Sequence, residues 1–330
     1  MNRVGEHGRG ESVWLGWFLH ATLMSFAPLA RERGDLALAS AWLGHAARLR
    51  AALEQHAWDG EWYRRGFFDD GTPLGSATND ECRIDAIAQS WSVISGAANP
   101  ARAERAMQSL EANLLSRDPP LARLFTPAFD KSLQEPGYVK AYPRGIRENG
   151  GQYTHAAIWT VIALTMQGKA ARAMEVFNML NPVSRATSRE DVQRYKVEPY
   201  AVAADVYSEA PHAGRGGWTW YTGSAGWLYR AGLESILGFR LRENRLTLTP
   251  CVPPDWPGFT IYYKHREASY VIAVDRQPGP DALPQLTVDG QPLKAGRNFI
   301  DLVDDGATHQ VHVAWTAAAA TEESVATRSS

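Results

Sequence analysis

The sequence predicts a mainly α-helical chain: stacked helical hairpins over residues 1–238, a small antiparallel β-sandwich over 239–315, and a tail at 316–330 expected to be disordered. Three observations predict it. An apolar helix, a short break and an amphipathic helix recur along residues 12–238. The segments linking these units are long and rich in Gly, Pro, Tyr and Trp. Past Leu237 the pattern changes to short alternating or β-branched runs.

The first hairpin is Ser12 to Leu29, a break at Arg33-Gly34-Asp35, then Leu36 to Trp58, where Leu38, Trp42, Leu49 and Leu53 share a face. The second runs from Ile84 to Gly96, breaks at Asn99-Pro100 and resumes from Ala101 to Leu115, with Ala103, Met107, Leu110 and Leu114 at helical spacing. The third is Tyr153 to Met166, a break at Gln167-Gly168, and Lys169 to Leu180; a last apolar helix spans Ser224 to Leu237. A hairpin of this kind cannot bury its inner face alone, so such units stack as a solenoid or a ring. The linkers 59–82, 116–152 and 181–222 are long for a compact domain, which points to a site built by loops at one end. Strands are predicted at 245–249, 259–264, 269–275, 285–288, 298–302 and 309–315, with Asp289-Gly290 as a hairpin turn.

With 330 residues, 45% hydrophobic, the chain can build one large domain and a smaller one. A net charge of −2 with no basic stripe excludes nucleic acid as a partner. Cys82 and Cys251 lie in no metal-ligand spacing and are expected as reduced thiols. No membrane-spanning run is expected, and the polar Met1–Glu11 lacks the apolar core of a secretion signal, so a cytoplasmic location is expected. Twelve tryptophans fit either a Trp-rich core or flat surfaces for sugar rings.

Three segments hold residues suited to chemistry. Gly8-Arg9-Gly10-Glu11-Ser12-Val13-Trp14 reads as a loop and helix start. In Arg147-Glu148-Asn149-Gly150-Gly151-Gln152-Tyr153-Thr154-His155 the glycines allow close backbone approach, Glu148 can grip a pair of sugar hydroxyls, and His155 opens an apolar helix. There the imidazole is either a structural group or a cation that helps hold an anion. In Gly214 to Ser224, Thr222 and the Gly223 N–H stand where the last helix begins, either as an aromatic loop with an N-cap or as an anion pocket; no Gly-Lys-Ser/Thr follows, so it is not a nucleotide loop. Asp80, Glu81 and Asp85 read as capping groups or as part of a sugar-binding wall.

Together with Gln89-Ser90-Trp91 and Trp220-Tyr221-Thr222-Gly223, these segments resemble glycoside hydrolase family 94, the inverting phosphorylases, in order and spacing to about residue 275. Cys82-Arg83-Ile84-Asp85 and Gln152 to Trp159 look more like its cyclic β-1,2-glucan synthase branch. The resemblance implies a partial (α/α)6 barrel of about seven helices followed by the β domain. It implies inorganic phosphate as co-substrate with no other cofactor, a β-glucan oligosaccharide as partner, and α-glucose 1-phosphate as product. It places His155, Thr222 and Gly223 at phosphate and Glu148, Tyr142 and Arg147 along the sugar. The family's general acid lies in a segment reading Asp-Trp-Asn-Asp-Gly-Met, of which Met1 matches the last residue, so the acid is expected just before Met1 and the chain is expected to be inactive alone. A homodimer, or the missing N-terminal part of the same enzyme as partner, is also implied, as is a parent synthase at the inner membrane with this region on its cytoplasmic side. Two alternatives stand: an (α/α)6 hydrolase using water, against which an anion pocket at His155 and Thr222-Gly223 argues, and a non-catalytic carbohydrate-binding or assembly subunit.

Overall fold

The computed structural model describes residues 1–220, 223–277, 282–294 and 297–316. They fall into two compact units, Met1–Gln167 with Glu175–Leu228, and Gly168–Met174 with the residues from Tyr229 onward. The helices are α1 Val13–Glu32, α2 Leu36–Ala52, α3 Ala86–Ile94, α4 Pro100–Leu114, α5 Thr154–Met166, α6 Ala170–Leu180, α7 Arg189–Tyr195 and α8 Ser224–Arg230. π-helical turns continue α2 through Leu53–Ala57 and α8 through Ala231–Ile236.

Side chains close the helix starts as the sequence leads one to expect. Ser12 Oγ accepts from Leu15 N–H, Asp35 Oδ1 from Leu38 N–H, and Asn99 Oδ1 from Ala101 and Arg102 N–H ahead of Pro100. Helix α7 is an addition, lying in a stretch expected to be loop. Ser188 caps its start: Ser188 Oγ accepts from Asp191 N–H at 3.1 Å, and the Ser188 hydroxyl donates to the Asp191 carboxylate at 2.6 Å.

In the first unit α1 packs on α2 and α3, and α3 packs on α5. Val13, Trp17, His20, Leu23, Ala27 and Ala30 recur every three or four residues and bury one face of α1. Its other face leaves Leu15, Phe18, Leu19, Met24, Phe26 and Leu29 exposed. The expectation of no membrane-length segment needs a correction: α1 is long and apolar enough to cross a membrane by length and composition, with mean hydropathy 1.3. Gly16, His20, Thr22, Ser25 and Pro28 interrupt the apolar run without lowering its mean below that level.

The loop side of the core is tied by buried polar groups. Gln89 accepts from Tyr63 N–H at 2.8 Å and donates to the Tyr63 and Asp85 carbonyls at 2.7 and 2.9 Å. Asp85, fully buried, caps α3 through Ile87 N–H, and its other oxygen lies 3.4 Å from Arg65 Nε. Arg65 also donates to the Ser12 hydroxyl at 2.9 Å, so one guanidinium links the starts of α1 and α3. Short strands join the same region: Glu11–Ser12 pairs with Gly66–Phe67, which pairs with Pro73–Leu74.

The strands of the second unit form two sheets. Phe239–Arg242, Arg245–Leu248 and Phe299–Asp301 make an antiparallel three-stranded sheet. The other runs in the order Gly258–His265, Ala268–Gln277, Thr308–Thr316, Ala282–Val288 and Gln291–Pro292. Tyr270, Ile272 and Val274 are buried at alternate positions, the period expected of a half-buried strand. The expected all-antiparallel arrangement is corrected here, because Ala268–Gln277 pairs in parallel with Thr308–Thr316. Parallel neighbours need a long crossover, and the intervening chain with strands 282–288 and 299–301 supplies it. Of the expected disordered tail, Thr316 ends a strand and the rest lies outside the described residues.

Burial raises the Asp85 carboxyl pKa, and Arg65 opposes that rise. Arg65→Met is expected to strand a buried carboxylate and lower stability by about 3–5 kcal/mol near neutral pH. A carboxyl whose folded pKa is raised contributes its stability below its unfolded value, about 4, and loses it as pH rises through the folded one. The deficit of Arg65→Met relative to wild type is therefore expected to shrink between pH 7.5 and 4.5. Urea unfolding at both pH values checks this, and an equal deficit at both refutes it.

Candidate functional site

The site grows from a short backbone ladder. Gln152–Tyr153 pairs antiparallel with Asp205–Val206, and Thr154 N–H donates to the Ala204 carbonyl at 3.0 Å. On the opposite edge Ala204 N–H donates to the Trp218 carbonyl at 2.6 Å and Gly217 N–H to the Asp205 carbonyl at 2.8 Å. Segments distant in sequence, ending at His155 and at Trp218, are thus held side by side by a third. The Asp205 side chain reinforces this: Oδ2 accepts from Arg147 N–H at 2.9 Å, and a Cβ at position 217 would collide with Oδ1, so glycine stands there. Burial pushes the Asp205 carboxyl up, while Arg147 and the surrounding N–H groups hold it down.

Asn149 sets the preceding loop. Wholly buried, it accepts from Phe129 N–H at 2.8 Å and donates to the Phe129 and Tyr142 carbonyls at 2.9 and 2.8 Å. Gly150 follows at φ +81, against Ala128. Arg147 is held at φ +50, an uncommon conformation for a residue with a side chain.

Three residues expected along a sugar meet here. Glu148 Oε1 accepts from the Tyr138 hydroxyl at 3.3 Å. Glu148 Oε2 is buried 3.6 Å from Arg147 Nε and makes no hydrogen bond among the described residues. The Arg147 guanidinium lies over the rings of Tyr142 at 5.7 Å and Trp218 at 4.9 Å. Against its desolvation, Glu148 and Asp205 keep Arg147 firmly charged. Burial, then Glu148, pushes the Tyr138 phenol up to about 12, so it remains a donor at neutral pH.

His155 is the second residue of α5. Its ring packs 4.7 Å from Trp159 and 5.5 Å from Trp227, and its Nε2 is buried without a hydrogen-bond partner among the described residues. Burial lowers its pKa, so the unliganded imidazole is neutral at pH 7. Trp227 lies in the first turn of α8 and its N–H donates to the Gly223 carbonyl at 3.2 Å, which sets Gly223 one turn from the ring that touches His155. Gly223 is exposed, with open space where a Cβ would stand. Thr222 lies outside the described residues.

A cavity of about 410 Å³ adjoins this wall, lined in part by Ser12, Trp14, Arg65 and Tyr138. Trp14 stacks on Trp159 at 6.0 Å, which joins the cavity wall to His155. Glu81 and Asp85 act as structural groups. Glu81 accepts from the N–H groups of Asp130, Lys131 and Ser132, which overcome its desolvation and bring its carboxyl down to about 2. Among the described residues no group of three or more His, Cys, Asp or Glu is placed to hold a metal ion.

The arrangement offers a buried carboxylate oxygen, a buried imidazole nitrogen, a fixed guanidinium and several ring faces. Polar atoms buried without partners are costly unless a ligand completes them, and this set suits a polyol beside an anion. Asp205, Tyr138 and Arg65 escaped the sequence analysis. Asp205 sits in Ala-Ala-Asp-Val-Tyr, where only the ladder reveals its task.

Over 276 residues the chain is 55% identical to the cyclic beta-(1,2)-glucan synthase NdvB of Rhizobium meliloti (strain 1021), covering 84% of this chain and 10% of that protein. It is 32% identical over 316 residues to solabiose phosphorylase of Paenibacillus borealis, covering 95% and 40%. It is 31% identical over 294 residues to N,N'-diacetylchitobiose phosphorylase of Vibrio proteolyticus, covering 87% and 36%. The chain thus spans well under half the length of these relatives. In fold alone it resembles a solved chain titled Sialidase, with TM-score 0.51 and 11% identity, covering 76% of this chain and 22% of that one. Residues 1–238 match the model described as "Glycosyl hydrolase 94 superfamily, catalytic domain", and the chain belongs to that family.

Proposed function

We propose that this glycoside-phosphorylase-like region supplies the phosphate pocket and part of the sugar-binding wall of an inverting phosphorylase acting on β-linked, here β-1,2-linked, glucans. Residues 1–238 form the C-terminal part of an (α/α)6 barrel and 239–315 the following β domain. Phosphate oxygen attacks the anomeric carbon from the face opposite the glycosidic bond. That bond breaks with its electron pair on the leaving oxygen, which takes a proton from a carboxylic acid, and α-glucose 1-phosphate leaves. The acid is expected on the family segment that precedes Met1. His155, Thr222 and the Gly223 N–H hold phosphate, while Glu148 grips sugar hydroxyls with Tyr142 and Arg147 beside it. The parent is a membrane-associated synthase with this region on the cytoplasmic side, working as a homodimer or with the upstream part of the same enzyme.

One observation supports this above the others: Glu148 Oε2 and His155 Nε2 are both buried without hydrogen-bond partners among the described residues, on a single stretch of backbone locked by Asp205 and Asn149. A hydrolase using water has no need of the second group.

Because burial lowers the His155 pKa, a bound anion must draw a proton onto it. Anion affinity is therefore expected to rise as pH falls below the ordinary histidine value of about 6.5. Sulfate, which does not titrate in this range, is expected to raise the Tm of the wild-type chain more at pH 5.5 than at pH 7.5, and to raise that of His155→Leu little at either. Equal gains in both proteins would remove His155 from the pocket.

Activity is to be assayed on the chain extended or co-expressed with the upstream segment, using β-1,2-glucan with and without phosphate. Glucose 1-phosphate is expected only with phosphate, and Glu148→Gln is expected to lower kcat/KM about 10- to 100-fold, the worth of a hydrogen bond to a charged group. Release of free glucose without phosphate would identify a hydrolase instead.

A further inference from the structure

The second unit carries a histidine that the candidate site does not use. His309 stands second in strand Thr308–Thr316, beside Tyr270 of Ala268–Gln277, and the two rings stack at 4.9 Å and 29°. Its Nδ1 lies 2.8 Å from Asp289 Oδ2, and its Nε2 lies 3.2 Å from Asp305 Oδ1. The side chain is only 14% exposed. Among the described residues neither carboxylate pairs with a Lys or Arg, so His309 is their cationic partner.

Proton counting fixes the state of the ring. An ionised carboxylate only accepts, and a neutral imidazole has a single N–H, so it would serve one oxygen and turn a lone pair toward the other. Only the imidazolium satisfies both contacts at once. The bond to Asp289 raises the His309 pKa above its ordinary value; desolvation opposes the rise and Asp305 adds to it. The Asp289 carboxyl is lowered first by His309, and that of Asp305 first by the Ala307 N–H. Burial raises the Tyr270 phenol, which stays protonated.

Each carboxylate also holds a turn. Asp289, at φ +49, accepts from Gln310 N–H at 2.8 Å and returns its own N–H to the Gln310 carbonyl at 2.8 Å. Asp305 accepts from Ala307 N–H at 2.9 Å, and the Ala307 carbonyl accepts from Ser269 N–H at 2.9 Å, where the parallel pair begins. The Tyr270 hydroxyl accepts from Val303 N–H at 2.8 Å. Arg266 lies 3.7 Å from Asp304, which also accepts from Glu267 N–H. His312 faces the other way by alternation and pairs with Asp275.

We infer that His309 is the pin of a pH-operated clasp: as an imidazolium it joins the 289–290 turn and the 303–307 loop across the start of the parallel strands, and it lets both go when the ring loses its proton. A group whose folded pKa is raised lends its stability in full below its unfolded value, about 6.5, and loses it as pH rises through the folded one. The clasp is therefore shut at mildly acidic pH and opens on the alkaline side.

An NMR titration of the His309 ring in the full chain, with amide hydrogen exchange at pH 5.5 and 8.5, tests it. The wild-type ring is expected to titrate above 6.5. Protection of the Val303, Ala307 and Gln310 amides, corrected for the intrinsic exchange rate, is expected to fall at pH 8.5 by about tenfold for each unit by which the ring pKa is raised. Asp289→Asn and Asp305→Asn are each expected to bring the ring toward 6.5, and His309→Gln to give low protection at both pH values. A wild-type ring that titrates at or below 6.5 overturns the clasp. So does an alkaline loss of protection that persists in His309→Gln.

Discussion

The locking of two remote segments by the strand Asp205–Val206 is the constraint on which the rest of the site depends. On one edge it fixes Gln152–Tyr153, and through them the start of α5 with His155. On the other it fixes Gly217 and Trp218. Its carboxylate also reaches across to the Arg147 backbone, beside Glu148. Backbone hydrogen bonds place these groups more rigidly than side-chain packing alone, because each bond fixes dihedrals on both partners. Nothing about the ligand is needed to hold the wall in place.

Much of the architecture was legible in the sequence because its causes are local. Helical spacing of apolar residues, Asn99-Pro100 and the capping groups Ser12, Asp35 and Asn99 act within a few residues, and the helices begin there. Helix α7 was legible too, in Ser188-Arg189-Glu190-Asp191, but it lay in a stretch dominated by loop signals. The parallel pairing of Ala268–Gln277 with Thr308–Thr316 was not, since alternation tells which face of a strand is buried and not the direction of its neighbour. In the site, Glu148 could be named from its glycine-rich segment, and Arg147 and Tyr142 only from the family resemblance. Asp205 could not, because its partners lie tens of residues away and its own neighbours are ordinary apolar residues.

The tryptophans show why a composition count is ambiguous. Trp17, Trp91 and Trp159 are core residues, whereas Trp218 and Trp220 stand on the surface beside a cation and a carboxylate. The expectation of a Trp-rich core is met by the first three, while the last two leave ring faces exposed. What separates them is the secondary structure that bears each ring: helices turn theirs inward, while Trp218 and Trp220 stand on a loop.

The outward face of α1 has a consequence for handling the protein. Six large apolar side chains on a single helix, with no charged residue between Val13 and Ala30, form a stripe that water does not wet well. Colloidal behaviour of the isolated chain is therefore governed by this stripe rather than by its net charge of −2, which is too small to keep molecules apart at ordinary ionic strength. Mild detergent, or a polar replacement at the exposed Phe26, would change its light scattering without altering the loops of the candidate site.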